Sequence, residues 1–220
     1  MKENVRKPVK QEKEKAATEE QFRLIRASID LANSERKKQV ILITSPESGT
    51  GKSTVASHLA ICYAKKGERT LLIDADLRKP TIHKYFPVSR YVGLTNIMAE
   101  QSSVMNGLQE VEMDGYSLSI LTGGPSPLNP SELLSSKKME QLVAQLKQFF
   151  DIIIVDTPPI TIVSDALVLT DLADGVILTC RYHQTVKEKA QLAVEKLKLS
   201  KARLLGVIFN GTKNAKHYYY

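Results

Sequence analysis

The feature that most constrains the fold of this chain is a series of short apolar runs, nearly unbroken by polar residues and separated by segments of helical character. The runs are "QVILIT" (39–44), "RTLLID" (69–74), "SLSIL" (117–121), "DIIIVD" (151–156), "GVILTC" (175–180) and "LLGVIF" (204–209). A strand with one wet face alternates apolar and polar residues. Strands that do not alternate are covered on both faces, as in a parallel sheet. The segments at about 52–66, 136–149, 164–171 and 184–199 are long enough for right-handed helical crossovers between such strands. The pattern predicts an α/β fold with a doubly wound, mainly parallel sheet flanked by helices. Ligands of such sheets bind beyond the carboxyl ends of the strands. Acidic and hydroxyl residues collect there: Thr44 and Ser45, Asp74 and Asp76, Asp156 and Thr157.

With 220 residues and 42% apolar composition the chain can fill one sizeable core, so one domain is expected, over 18–211. Residues 1–17, "MKENVRKPVKQEKEKAA", are charged and offer almost nothing to bury, which predicts a mobile arm, and 212–220 predicts a flexible tail. After the arm, "TEEQFRLIRASIDLA" repeats with helical period, placing Phe22, Ile25, Ile29 and Ala32 on one face behind a Thr18 cap. The net charge of +7 is spread along the chain and interleaved with 24 acids, so no nucleic-acid partner is expected. Cys62 and Cys180 sit in apolar stretches without CxxC spacing and read as buried thiols. His58, His83, His183 and His217 show no metal-binding spacing. Every apolar run is far shorter than the roughly 18 to 20 residues of a membrane span, which predicts a cytoplasmic chain that reaches a membrane only through a partner.

Three motifs carry chemistry. "PESGTGKS" fits GxxxxGK[ST] except that Pro46 replaces the first glycine. Gly49 and Gly51 let backbone N–H groups face phosphate oxygens, Lys52 can reach the β- and γ-phosphates, and Ser53 can ligate Mg²⁺. The loop from Ser48 to Thr54 is therefore the candidate nucleotide cradle, with a helix N-terminus facing the anion. "LLIDADLRKP" places Asp74 and Asp76 at a strand end, two apart and so pointing the same way if extended. "IIIVDTPP" ends a buried strand in Asp156, a natural outer ligand for Mg²⁺. Phosphoryl transfer asks little covalent help of a protein beyond charge neutralisation and a group that orients the nucleophile.

In this order and spacing the three motifs resemble the Walker A, A′ and B set of the bacterial tyrosine kinases of capsule and exopolysaccharide synthesis, and the likeness runs from about Glu19 to the C-terminus. The fold it implies is a P-loop NTPase of the deviant-Walker type, shared with the division-site and partitioning ATPases. Those relatives carry a second lysine early in the loop; Glu47 stands there in this chain, which favours the kinase. The resemblance implies ATP as substrate and Mg²⁺ as cofactor, handled by Lys52, Ser53, Asp74 and Asp156, with Ser53, Asp74 and Asp156 as the metal set. Asp74 or Asp76 would accept the tyrosine proton, the two remaining alternatives, and Arg78 follows them as in the family. Asn210 falls where related ATPases contact adenine.

Glu20, Arg23 and Arg26 in "EQFRLIR" recur at spacing three, a charged stripe roughly 140° from the apolar face at about 100° per residue. They match the ExxRxxR motif through which the family's subunits assemble into rings. The chain ends "NGTKNAKHYYY", and the resemblance makes Tyr218, Tyr219 and Tyr220 autophosphorylation sites. Residues beyond Asn210 reach at most about 33 to 36 Å, enough to enter a neighbouring subunit. Phosphate at about −1.5 to −2 per tyrosine would reverse the tail's basic charge and release the ring. Further implied partners are a membrane polysaccharide co-polymerase acting as activator, a cognate tyrosine phosphatase and cytosolic protein substrates. The competing readings are a nucleotide-switch ATPase of the partitioning type and a ring that scaffolds polysaccharide machinery. In "GGPSPLNPSELL", Asn129, Pro130 and Glu132 read as a helix start.

Overall fold

The computed structural model describes residues 6–32, 39–200 and 203–212. Among these, seven strands form one sheet: β1 (Val40–Thr44), β2 (Thr70–Asp74), β3 (Leu108–Met113), β4 (Tyr116–Leu121), β5 (Ile152–Asp156), β6 (Gly175–Arg181) and β7 (Arg203–Asn210), ordered β3-β4-β2-β5-β1-β6-β7. All neighbours are parallel except β3 and β4. The helices are α1 (Arg6–Leu31), α2 (Lys52–Lys65), α3 (Leu94–Met98), α4 (Val104–Gly107), α5 (Pro130–Leu134), α6 (Lys137–Leu146), α7 (Asp165–Thr170) and α8 (Lys187–Lys198), with a 3-10 turn at Ile82–Lys84.

The sheet is covered on both faces, which is why its strands read as unbroken apolar runs. Leu71, Ile73, Ile153 and Val155 point into one core with Leu142, Val143 and Leu146 of α6, Leu169 of α7 and Leu197 of α8. Leu72, Ile152 and Ile154 alternate into the other core with Val55, Leu59 and Tyr63 of α2 and Ile29 of α1. Phe22 and Ile25 pack against that second core as expected, and Phe22 stacks on His58 with centroids 4.9 Å apart. Ala32 is exposed.

Three expectations are corrected. Helix α1 does not start at Thr18: residues 6–17, read as part of a mobile arm, continue it. Their Lys, Glu, Gln and Ala are strong helix formers, and Pro8 lies in the first turn, where its missing N–H costs nothing. Strand β3 has no counterpart among the apolar runs, because it is an edge strand in which only Val111 is buried. Its signal was the Asp114-Gly115 turn, where Gly115 adopts φ 83° and closes the hairpin. Helix α6 ends at Leu146 and α8 begins at Lys187, each inside the span predicted for it. The tail expected over 212–220 lies, from residue 213 on, outside the described residues.

Two carboxylates hold the strand starts together. Asp174 Oδ2 accepts from the backbone N–H groups of Gln39 and Val40, each at 2.8 Å, and pairs with Lys147 Nζ at 3.4 Å. Asp151 Oδ2 accepts from the N–H of Arg69 at 3.0 Å, ahead of β2. Asp174→Ala strips two N–H groups at the start of β1 of their acceptor. It should cost about 1–3 kcal/mol, read as a lower urea midpoint with an unchanged slope.

Candidate active site

The parallel register of β2 and β5 sets Asp74 directly across from Asp156, and β1 brings Ile43 beside Asp156 on the other side. All three strands end at one edge, and from β1 the chain passes into the loop 45–51 and then α2. The turn depends on glycine: Gly49 and Gly51 have φ of 81° and 87°, where other residues are strained. Gly51 is also crowded, since a Cβ there would collide with the Asn210 side-chain amide. That amide donates from Nδ2 to Thr50 O at 2.9 Å, so the end of β7 grips the loop. Further ties come from the segment after β5, where Ile160 N donates to Ser45 O at 2.9 Å and Thr161 Oγ1 donates to Pro46 O. Glu47 pairs with Lys189 of α8 at 2.5 Å. The position at which partitioning ATPases carry a second lysine is thus an acid that takes its lysine from another helix.

Lys52 lies at the centre of the charged groups. Its Nζ is 2.8 Å from Asp76 Oδ2, 3.8 Å from Asp156 Oδ1, and donates to Ser53 Oγ at 3.3 Å. Burial disfavours the ammonium, but Asp156, Asp76 and Asp74 together outweigh it and hold the pKa above the ordinary lysine value. Burial raises Asp74 to about 7, with Asp156 pushing the same way against the hydrogen bonds from the N–H groups of Ile82 and Thr81. Burial likewise raises Asp156 to about 6, although Lys52 opposes it.

The two acids of the second motif do different things. Asp74 is fully buried, and its Oδ2 accepts from Thr81 N at 2.8 Å and Ile82 N at 2.9 Å. Asp76 retains 4% exposure, faces Lys52, and accepts from Lys79 N at 3.1 Å. Arg78 turns away from both and forms a two-pronged ion pair with Asp165, at 2.8 and 3.0 Å. Burial alone would raise Asp165, yet Arg78 and the Ser131 hydroxyl hold it below the usual carboxylate range. Asp165 thereby ties the second motif to α5 and α7.

The donor set fits Mg²⁺. Three carboxylates face one ammonium, and Asp74 Oδ1 and both oxygens of Asp156 are buried without a hydrogen-bond partner. Among the described residues no cage of three or more His, Cys, Asp or Glu exists, but Mg²⁺ needs none, since it takes one or two carboxylates and completes its shell with waters and phosphates. Thr50 Oγ1, buried and likewise unpartnered, sits in the same loop. Ser48 and Gly49 form the loop's exposed tip, while Ser53 is buried and Thr54 half-buried in the first turn of α2.

Glu20, Arg23 and Arg26 lie elsewhere, on α1. Glu20 and Arg23 are exposed and paired with each other at 3.0 Å. Arg26 is half-buried, its Nη1 donating to Cys62 O at 3.4 Å across α2, so the stripe is not wholly solvent-facing. Tyr218–Tyr220 lie outside the described residues. The motif reading did not find Asp165, Lys189, Thr161 or Tyr85, whose hydroxyl is 2.9 Å from Thr54 Oγ1. Only Asp165 had a local signal, an acid in the first turn of a helix.

Comparison with known proteins agrees with this geometry. The family model described as ParA, "NUBPL iron-transfer P-loop NTPase", matches residues 36–216. The tyrosine-protein kinase YwqD of Bacillus subtilis (strain 168) is 44% identical over 203 residues, 92% of this chain and 85% of that one. The tyrosine-protein kinase CpsD of Streptococcus agalactiae serotype III (strain NEM316) is 34% identical over 194 residues, 88% of this chain and 82% of that one. The solved kinase domain of the Escherichia coli tyrosine kinase ETK superimposes with a TM-score of 0.83 at 31% identity, covering 92% of this chain and 79% of that one.

Gly51→Ala combines a strained φ with a collision against Asn210. It should weaken ADP binding, measured calorimetrically, by at least about tenfold, a cost of about 1.4 kcal/mol, while the circular dichroism spectrum stays that of the wild type.

Proposed function

The chain belongs to the bacterial tyrosine-protein kinases built on the ParA-like P-loop fold, and from that premise we propose that it transfers the γ-phosphoryl group of ATP to the tyrosines of its own C-terminal cluster, Tyr218, Tyr219 and Tyr220. The observation that carries this reading is the buried Lys52 ammonium between Asp76 and Asp156, beside carboxylate oxygens with no hydrogen-bond partner. Such a site is built for a charged ligand that brings a cation with it.

Within it Ser48 to Thr54 cradle the phosphates through backbone N–H groups and the first turn of α2. Lys52 reaches the β- and γ-phosphates, exchanging its pairing with Asp76 for the nucleotide. Ser53, Asp74 and Asp156 are the residues that would hold Mg²⁺, which when bound supplies positive charge to the β- and γ-oxygens. The acceptor tyrosine oxygen bonds to the γ-phosphorus as the bond from that phosphorus to the β–γ bridging oxygen breaks, giving phosphotyrosine and ADP. Its proton goes to Asp76. Asp76 suits that task better than Asp74, because it keeps some exposure and faces Lys52, whereas Asp74 is sealed beneath two backbone N–H donors. Asn210 would hold the loop in shape as well as flank the nucleoside.

The reading extends to assembly: Glu20, Arg23 and Arg26 would join subunits into a ring in which one tail is phosphorylated by its neighbour, and phosphorylation would release the ring. The activator would be the cytoplasmic segment of a membrane polysaccharide co-polymerase, the process governed would be capsule or exopolysaccharide assembly, and a cognate phosphatase would reset the tail. Recruitment through such a partner accords with the described residues, where no helix is long and apolar enough to cross a membrane.

Peptide mass spectrometry after incubation with Mg²⁺, ATP and an activator segment tests the proposal. Phosphate should appear on Tyr218–Tyr220 of the wild type and be absent from Lys52→Met treated alike; an unmodified wild-type tail with ATP hydrolysis intact would move the reading to a nucleotide switch. Asp76→Asn should lower kcat by about 10²- to 10⁴-fold while ADP affinity stays within about threefold, the signature of a lost proton acceptor.

A further inference from the structure

We propose that Tyr85 is a nucleotide-positioning residue that acts through Thr54, an inference that rests on the loop 48–54 being the nucleotide site. Thr54 is in the first turn of α2, where its hydroxyl borders the phosphate cradle: a Cβ on Gly51 would lie 3.9 Å from Thr54 Oγ1. The Tyr85 hydroxyl stands 2.9 Å from that oxygen. A threonine in a helix commonly spends its proton on a carbonyl of the preceding turn, which would turn it away from a ligand. Either hydroxyl can donate in this contact, and the phenol, the more acidic of the two, is the donor in the arrangement proposed. The single Thr54 proton is then free for a phosphate oxygen, so the two bonds form a chain in which each strengthens the other.

The position of Tyr85 supports the assignment. The residue is 47% exposed, so core packing does not fix it. It follows the 3-10 turn directly, with its N–H donating to Ile82 O at 2.9 Å. The other end of that turn supplies the N–H groups of Thr81 and Ile82 to Asp74. One short turn therefore fixes the acidic motif at its start and the loop helix at its end. Lys52 and Asp76 occupy the catalytic side of the loop, while Thr54 shares the Gly51 side with Asn210. Tyr85 thus belongs to the nucleotide's binding and not to the transfer step.

The test is calorimetric binding of ADP with Mg²⁺ to the full chain and to Tyr85→Phe, Thr54→Val and the double variant, with kcat and KM for ATP alongside. Tyr85→Phe should weaken ADP by about three- to tenfold and raise KM for ATP by the same factor, with kcat changed less than about twofold. The double variant should bind no more weakly than Thr54→Val alone. Unchanged affinity in Tyr85→Phe, additive losses, or tighter binding, which would mean the tyrosine competes with nucleotide, would each overturn the proposal. A wild type that fails to bind ADP would instead overturn the reading of the loop itself.

Discussion

Compensation of buried charge at the ends of β2 and β5 is the constraint on which the rest of this structure depends. Parallel register fixes Asp74 opposite Asp156, both fully buried beneath the core on either face. Burial is what pushes both toward neutrality, helped at Asp74 by the charge of Asp156 and at Asp156 by that of Asp76. Lys52 is the local answer, and its burial is tolerable only because the acids surround it. The loop that precedes it must therefore turn sharply enough to bring an ammonium over the strand ends, which requires the left-handed glycines. Phosphate loop, second motif and third motif are three solutions to one electrostatic problem.

Much of this was legible because buried strands advertise themselves. Each apolar run became a strand within a residue or two, and each motif stood at a carboxyl end, so the edge of the sheet that holds the site could be read directly. The pairing of Asp74 with Asp156 could not be, since it depends on register between strands far apart in the chain. Nor could the divergence of Asp74 and Asp76: an extended strand would aim them alike, but the chain leaves β2 after Asp74. Arg78 with Asp165, Glu47 with Lys189 and Tyr85 with Thr54 are side-chain meetings between separate elements, invisible to any local pattern. The start of α1 is hidden because residues 6–17 offer little to bury, although helix propensity and burial are separate quantities.

Helix α2 links two regions that look independent in the sequence. Its first turn carries Lys52, Ser53 and Thr54, and its last carries Lys65, which pairs with Glu19 of α1 at 3.1 Å. Between them His58 stacks on Phe22, and Tyr63 donates to Asp30 at 3.1 Å. Beyond the helix end Lys66 reaches the same Asp30 at 3.2 Å. At about 1.5 Å per residue the helix spans roughly 20 Å, so the charged stripe of α1 rests on the far end of the rod whose near end carries Lys52.

Asn210 closes β7 and grips the carbonyl of Thr50, and it is also the residue from which the chain departs toward the tyrosine cluster. The end of β7 and the glycine loop ahead of α2 are one hydrogen bond apart. A displacement of Asn210 is therefore felt by the loop, through Thr50, and by the sheet, through the Tyr182 N–H that donates to Asn210 O at 2.9 Å.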